Sequence, residues 1–421
     1  MTRLASPPGA GPACRLSGAP WLAVLRGDAR YLMGLEIVAL ALAAPFLLFP
    51  DVRPRLAAAS LALLALAWLL RWALRGEAWP HTPCNAALLL FALTIPVGVW
   101  ASAFPDLTLP KLAGLILGLA AFRAVAFFVR DRRTLAWALA GFAMLGLGIV
   151  AGGALGVGWP DKIPLLQSIV RRLPKAAILA GQSINPNQLG GVMTLYVPVA
   201  AGCLIGCLRA RRPLPAVLGL AGLAVAVGTL ALTQSRGGWL GGAVGLAALP
   251  VFWGIGVGEK RDARWRSRLL RVAAVVVPLA LFVGVAWGAV HYLGPGRIGQ
   301  VLGDFDAGTT AGGLGRVSLA GRLEIWSRAV YAIQDFPFTG CGLGAFRRVV
   351  NLLYPLFLIG PDADIAHAHN IFLQTALDLG LPGLVAYLAL LWTAAAAGIR
   401  GTAARSSRLE LEKWVGLGLA G

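Results

Sequence analysis

Charge is what this chain has least of. Aspartate, glutamate, lysine and arginine make up 13% of its 421 residues, against roughly a quarter in an ordinary soluble domain. Hydrophobic residues reach 58% and the mean hydropathy is +0.75, which excludes a soluble globular protein. Acid is scarcer than base, 18 residues against 37, leaving a formal net charge of +19. Cysteine is nearly as sparse. Cys14, Cys84, Cys203, Cys207 and Cys341 contain no C-x-x-C pair, and only Cys341 falls in an outer segment of the topology below, so no disulfide within the chain is expected. Four histidines without clustered ligands predict no metal and no redox cofactor. The first 30 residues carry Pro, Gly and Arg without an apolar core, so no cleaved signal peptide is expected either.

What is present is a series of long apolar runs. Ten have the length of about 18–25 residues that crosses the hydrocarbon layer: 31–50, 56–74, 84–102, 109–129, 134–158, 187–208, 214–233, 237–258, 272–293 and 371–398. An eleventh begins near Trp414 and stops at Gly421, as expected of a C-terminally truncated chain. The fold class predicted is all-α, a polytopic transmembrane helix bundle. Residues 1–30 form a cytoplasmic segment, and 31–421 a single membrane domain with outer loops at about 159–186 and 294–370. Basic residues orient it. With the N-terminus in the cytoplasm, Arg130, Arg132, Arg133, Arg209, Arg211, Arg212 and the run EKRDARWRSRLLR (259–271) all fall inside, the positive-inside asymmetry. The positive charge is thus topological, with some directed at anionic lipid headgroups, and implies no nucleic-acid partner.

That orientation brings Arg236, Arg322 and His369, far apart in sequence, to the same outer face. His369 lies in AHAHNIFLQTALDLGL (366–381), where a polar loop meets an apolar helix. Asn370, Gln374 and Asp378 follow at steps of four and so share one helix face. Polar groups in hydrocarbon are costly unless they line a site or a protein interior, so the segment reads as an active-site edge. At the other side of the bundle, Glu36 and Arg123 lie at matched depth, about 8–9 Å inside the inner boundary at 1.5 Å per residue. They are expected to pair and hold the first and fourth spans together, the alternative being an Arg123 that snorkels to headgroups unaided.

Four stretches resemble the O-antigen ligase and O-antigen polymerase superfamily of bacterial membrane glycosyltransferases: GQSINPNQLGGVMTLYVP (181–198), LTQSRGGWLGG (232–242), GRLEIWSRAVYAIQDFPFTGCGLGAF (321–346) and HAHNIFLQTALDLGLPGL (367–384). The likeness runs from about residue 180 to 398; earlier residues match only as generic membrane helices. Asp378 departs from the family pattern, which usually has glutamate there. The resemblance implies an inner-membrane enzyme with its site at the periplasmic face. Such an enzyme passes a glycan from an undecaprenyl-diphosphate-linked donor to an acceptor hydroxyl, with inversion at the anomeric carbon and without metal. In a ligase the acceptor is lipid A–core; in a polymerase it is another lipid-linked glycan. Chemically, arginine suits the diphosphate because its planar fork bonds phosphate bidentately, and histidine suits proton removal near neutral pH. His369, Arg236 and Arg322 are therefore the catalytic candidates. Asn370, Gln374, Asn187, Arg171 and Arg172 are the candidates for binding substrate, the two arginines facing an anionic acceptor or solvating their loop.

Competing readings accompany these assignments. His367 is a second candidate base, and Asn370 could simply cap the helix that follows. Asp304 and Asp306 in LGDFDAGTTAGG resemble a metal-binding aspartate pair but read as a solvated turn. Gly340, Gly342 and Gly344 in TGCGLGAF either cradle phosphate through backbone amides or form a tight turn that folds the loop against the membrane. The ligase reading is preferred to the polymerase. A protein O-oligosaccharyltransferase or a solute transporter is less favoured, because transporters place ionisable residues at midplane helix breaks and these charges lie at the outer edge.

Overall fold

The computed structural model describes residues 29–159, 168–172, 185–258, 319–360 and 364–403. The run 272–293, the eleventh run after Trp414, the aspartates 304 and 306 and the N-terminal 28 residues lie outside them. Eleven helices are described: α1 Ala29–Leu48, α2 Pro54–Arg75, α3 Asn85–Trp100, α4 Pro105–Phe128, α5 Arg132–Gly156, α6 Pro186–Arg209, α7 Pro213–Leu232, α8 Arg236–Gly258, α9 Leu319–Asp335, α10 Phe346–Leu353 and α11 Ile371–Ala403. Local signals explain many boundaries. Proline opens α2, α6 and α7, where its missing N–H has no partner to lose. Asp131 and Thr134 close a reciprocal capping box on α5, and Gly76 ends α2 in the left-handed conformation.

Among the described residues, seven helices are long and apolar enough to cross a membrane: α1, α2, α4, α5, α6, α7 and α11, while α3 and the apolar part of α8 (Gly237–Val251) are shorter. The ten-span reading is thus matched in part. The outer segment expected at 294–370 is not plain loop, since α9 and α10 fold within it.

The described chain groups into two compact units, one formed by residues up to 81 with 109–130, the other by 82–108 with 131 onward. In the first, α1, α2 and most of α4 pack through Ala39, Ala43, Leu47, Ala57, Leu64, Ala67, Ala113 and Ala120, mostly small side chains that let backbones approach. Among these helices lies a buried charge cluster. Glu36 Oε1 accepts from Arg123 Nη1 at 2.7 Å and from Arg71 Nε at 2.9 Å. The expected pairing of Glu36 with Arg123 is therefore present, and Arg71 is a third member that the sequence did not announce. Arg123 also donates to the Ala78 carbonyl at 3.1 Å, and Arg71 to Glu77 at 3.3 Å. The Arg71 guanidinium lies 4.2 Å from the centroid of the Phe127 ring. Opposite charge, hydrogen bonds and an aromatic face together offset the desolvation that buried ions incur.

In the second unit, α6, α7 and α8 pack closely, with Met193, Val197, Ala226 and Leu230 at the centre of an apolar cluster. Helix α11 lies against α3, α8 and α9. It is not one continuous helix. Gly380 breaks it, with φ 70° and ψ −179°. The backbone groups freed there are taken by the loop before α10: Cys341 N–H donates to the Leu377 carbonyl and Leu381 N–H to the Pro337 carbonyl, both at 2.7 Å. The start of α11, up to the break, therefore belongs with α9 and α10 to a small apolar core made by Ile325, Ala329, Ala332, Phe346, Val350, Leu356, Ala368 and Leu377. Residues 381–398 remain as the apolar stretch beyond the break.

Candidate active site

His369 occupies the tightly held turn that enters α11. It has φ 52°, a left-handed conformation that costs a non-glycine residue about 1–2 kcal/mol. The neighbouring residue supplies the restraint. Ala368 is fully buried, its N–H donates to Gln374 Oε1 at 2.8 Å, and its carbonyl accepts from Trp326 Nε1 of α9 at 2.9 Å. Gln374 is held in turn, because its Nε2 donates to Asp378 Oδ1 at 2.9 Å. That same oxygen accepts the Gly344 N–H at 3.0 Å. The polar stripe read from the sequence is thus a chain of hydrogen bonds, running from Gly344 through Asp378 and Gln374 to the residue before His369. Both ends of Gln374 are engaged within the protein. Asn370 Oδ1 accepts from the N–H groups of Phe372 at 3.0 Å and Leu373 at 3.3 Å, so its oxygen caps α11.

The two histidines are packed edge to face, their centroids 4.2 Å apart. The His369 N–H donates to His367 Nδ1 at 3.2 Å, which makes that nitrogen an acceptor and leaves the neutral imidazole of His367 its proton on Nε2. Partial burial, then the nearness of His367, then the charge of Arg322 push the His369 pKa down to about 4. The residue keeps an exposed surface, so screening by water tempers the shift, but its direction leaves the imidazole neutral at pH 7 and able to accept a proton. Arg322, on α9 with a buried Nε that has no hydrogen-bond partner among the described residues, is close enough to act on that imidazole.

A second group of candidates meets at the other sequence motifs. Arg236 is the first residue of α8, directly after the buried turn Thr233–Gln234–Ser235, in which Gln234 is left-handed at φ 48°. Ser235 Oγ accepts the Gly238 N–H at 3.3 Å. The start of α6 packs on this turn: a β-carbon at Gly190 would lie 2.9 Å from that of Ser235 and 3.0 Å from Thr233 Oγ1, so only glycine fits. Asn187, exposed, lies one turn before Gly190, its N–H bonded to Asn185 Oδ1 at 2.9 Å. The stretches NPNQLGG and LTQSRGG are therefore neighbours, and α8 in turn packs on α11. Arg171 and Arg172 are exposed in a short separate segment that no described contact joins to His369.

The glycines of TGCGLGAF have a structural task. A side chain at Gly340 would overlap the Leu377 carbonyl, and one at Gly342 the backbone of Ser102; both residues also have positive φ. The amides that could have cradled phosphate are in use: Cys341 on Leu377, Leu343 on the Gly98 carbonyl at 2.8 Å, Gly344 on Asp378. Of the two readings of this stretch, the tight turn holds.

Residues 221–388 match the family model described as O-antigen ligase. Over this stretch, about two fifths of its length, the chain is similar to the O-antigen ligase family. A second comparison finds the exopolysaccharide production protein ExoQ of Rhizobium meliloti (strain 1021), 31% identical over 131 residues. That similarity covers 30% of this chain and 26% of ExoQ, so the matched region spans about a quarter of that relative's length. The superfamily match contains Arg236, Arg322, His369, Asn370 and Gln374, while Arg171, Arg172 and Asn187 precede it. Within it lie three residues whose part the sequence did not reveal. Trp326 fixes Ala368. Asp378 was placed on the stripe without a partner. Glu324 accepts the N–H groups of Phe357 at 2.6 Å, Leu358 at 3.0 Å and Ile359 at 3.3 Å. Burial works to raise the Glu324 pKa, but these amides and Arg328 outweigh it and hold the carboxyl below its ordinary range. The only available signal for all three was their place inside GRLEIW and FLQTALD. Among the described residues no three His, Cys, Asp or Glu side chains gather as metal ligands would.

Proposed function

We propose that this multi-pass membrane protein transfers a polysaccharide from undecaprenyl diphosphate to an acceptor hydroxyl, as an O-antigen ligase does, with lipid A–core as acceptor. The observation that carries the reading is His369, held neutral in a strained turn beside Arg322, within the segment that matches the O-antigen ligase family. His369 takes the proton of the acceptor hydroxyl while its oxygen attacks the anomeric carbon from the face opposite the diphosphate. The bond from that carbon to the phosphate oxygen breaks with inversion, and undecaprenyl diphosphate leaves with the electron pair. Arg322 and Arg236 hold the diphosphate and offset the charge that grows on it. Arg236 adds the positive end of α8, since a helix N-terminus attracts phosphate. A bound diphosphate also cancels the push of Arg322 on His369, raising the imidazole pKa toward its ordinary value and making it a stronger base when the donor is in place.

Asn187 and Asn370 are assigned to sugar hydroxyls, and the exposed Arg171 and Arg172 to an anionic acceptor. The active site faces the periplasm and the N-terminus the cytoplasm of a bacterial inner membrane, a reading supported by the basic inner segments. Similarity to an exopolysaccharide production protein favours a polymerase as the second reading. Solute transport is disfavoured by the break at Gly380, whose freed backbone groups are taken by the protein's own loop rather than left facing a cavity. The test is donor affinity. Arg236→Lys and Arg322→Lys, each purified in nanodiscs, are expected to weaken binding of a lipid diphosphate-linked glycan at least about tenfold, because a point charge does not reproduce bidentate contact. Unchanged affinity in both variants would remove the diphosphate role.

A further inference from the structure

The segment from α10 to Ile359 exposes an unusual amount of apolar surface for a region outside the spans. Leu352 is 69% exposed, Leu353 57%, Phe357 75% and Leu358 73%. The fold holds them out. Phe346 and Val350 on the other face of α10 are fully buried, as is Leu356 between the exposed pairs, while the Glu324 carboxylate grips the backbone of 357–359. Tyr354 donates its hydroxyl to Asp335 at 2.5 Å, tying the segment to the end of α9, just before Phe338, which is 74% exposed. Solvent-exposed apolar clusters of this kind mark interaction surfaces.

Its neighbours identify the partner. The residues leading into α10 are bonded to the turn between α3 and α4: Leu343 N–H to the Gly98 carbonyl at 2.8 Å, Thr108 Oγ1 to the Leu343 carbonyl at 2.8 Å, and Arg348 to Asp106 at 2.6 Å. Arg348 also lies over the Phe104 ring at 5.1 Å. A turn joining two apolar helices lies at the edge of the hydrocarbon layer, and Trp100, 82% exposed there, is the kind of aromatic that settles at that boundary. The apolar cluster is therefore continuous with a lipid-facing edge. Cations rim it. Arg328 lies 5.5 Å from the Phe357 ring. On α10 the exposed Leu352 lies four residues after Arg348 and so on the same face, a cation beside an apolar side chain, as in helices that lie in the interface plane.

We propose that residues 352–358, with Phe338, form a lipid-seated foot that rests in the acyl–headgroup region of phospholipids and carries α9 and the start of α11 at the membrane surface. This holds whatever reaction the protein performs. The full chain, carrying the photocrosslinking amino acid p-benzoylphenylalanine at position 357 or, separately, 353, is placed in nanodiscs of phosphatidylethanolamine and phosphatidylglycerol and irradiated. Mass spectrometry is expected to find phospholipid adducts at both positions, with yields like that at Leu391 in the apolar part of α11 and several-fold above that at the exposed Gln334 of α9. Adducts to a second copy of the chain, or phospholipid yields no higher than at Gln334, would overturn the proposal. Because both replacements are at exposed positions and neither measures catalysis, failure here is separate from failure of the glycosyl-transfer reading.

Discussion

Gln374→Glu tests the hydrogen-bond chain that positions His369. The substitution keeps the oxygen that accepts the Ala368 N–H but replaces the amide that donates to Asp378, 2.9 Å away. Two ionised carboxylates at about 3 Å repel by roughly 5 kcal/mol at an effective dielectric constant near 20, so in a site this buried one of them stays protonated. The introduced carboxyl, once protonated, has a hydroxyl that restores the donor, and the cost becomes that of holding the proton, about 1.4 kcal/mol per pH unit above an ordinary pKa near 4.3. That is roughly 4 kcal/mol at pH 7 and about 1 kcal/mol at pH 5. His369, with its pKa near 4, stays largely neutral at both values. The protonation cost disfavours the intact turn against an arrangement in which the ionised carboxylate swings out to water and releases His369. Initial rates of glycan transfer by variant and wild type in proteoliposomes should therefore differ by up to about several hundredfold at pH 7 and about fivefold at pH 5, with the KM for donor little changed. A ratio independent of pH, or full activity at pH 7, would refute the view that Gln374 acts by donating to Asp378. Adding Asp378→Asn to the same variant should recover part of the loss at pH 7, since asparagine supplies a donor to the introduced carboxylate and keeps an oxygen for Gly344.

Three other perturbations reach different parts of the molecule. The acid limb of kcat/KM should fall below the ordinary histidine range, toward pH 4, since the lowered His369 pKa keeps the base deprotonated there; the limb of kcat should lie higher, because bound diphosphate offsets Arg322. Glu36→Gln should destabilise the protein by about 3–5 kcal/mol, leaving Arg71 and Arg123 buried without their shared counter-charge, read as a lowered unfolding temperature in detergent with transfer activity retained in the folded fraction. Gly342→Ala should lower the unfolding temperature too, by a loss of at least about 2 kcal/mol, since it combines positive φ with a clash against Ser102; a variant as stable as wild type would show that the turn relaxes freely.

Hydropathy made the helices legible because crossing a membrane constrains length and composition together. It also made the Glu36–Arg123 pair legible, since two opposite charges at one depth have few other partners. Arg71 was overlooked because it lies near the end of α2, where a long cationic side chain ordinarily snorkels outward; here it turns inward onto Glu36. The stripe of Asn370, Gln374 and Asp378 was visible as a periodicity of four, but its meaning was not. Periodicity places residues on one face without saying what meets that face, and the partners, Ala368, Gly344 and Trp326, come from a turn, a loop and another helix. The break at Gly380 was hidden for the same reason. It depends on Pro337 and Cys341, about forty residues earlier in the chain, filling the backbone positions that the helix gives up.

The most direct test of the account is the rate of glycan transfer by purified His369→Gln protein in proteoliposomes, with an undecaprenyl diphosphate-linked glycan and an excess of acceptor at pH 7. Loss of a general base at this position predicts a rate at least about 100-fold below wild type, with donor binding and unfolding temperature unchanged. Transfer at close to the wild-type rate would contradict it.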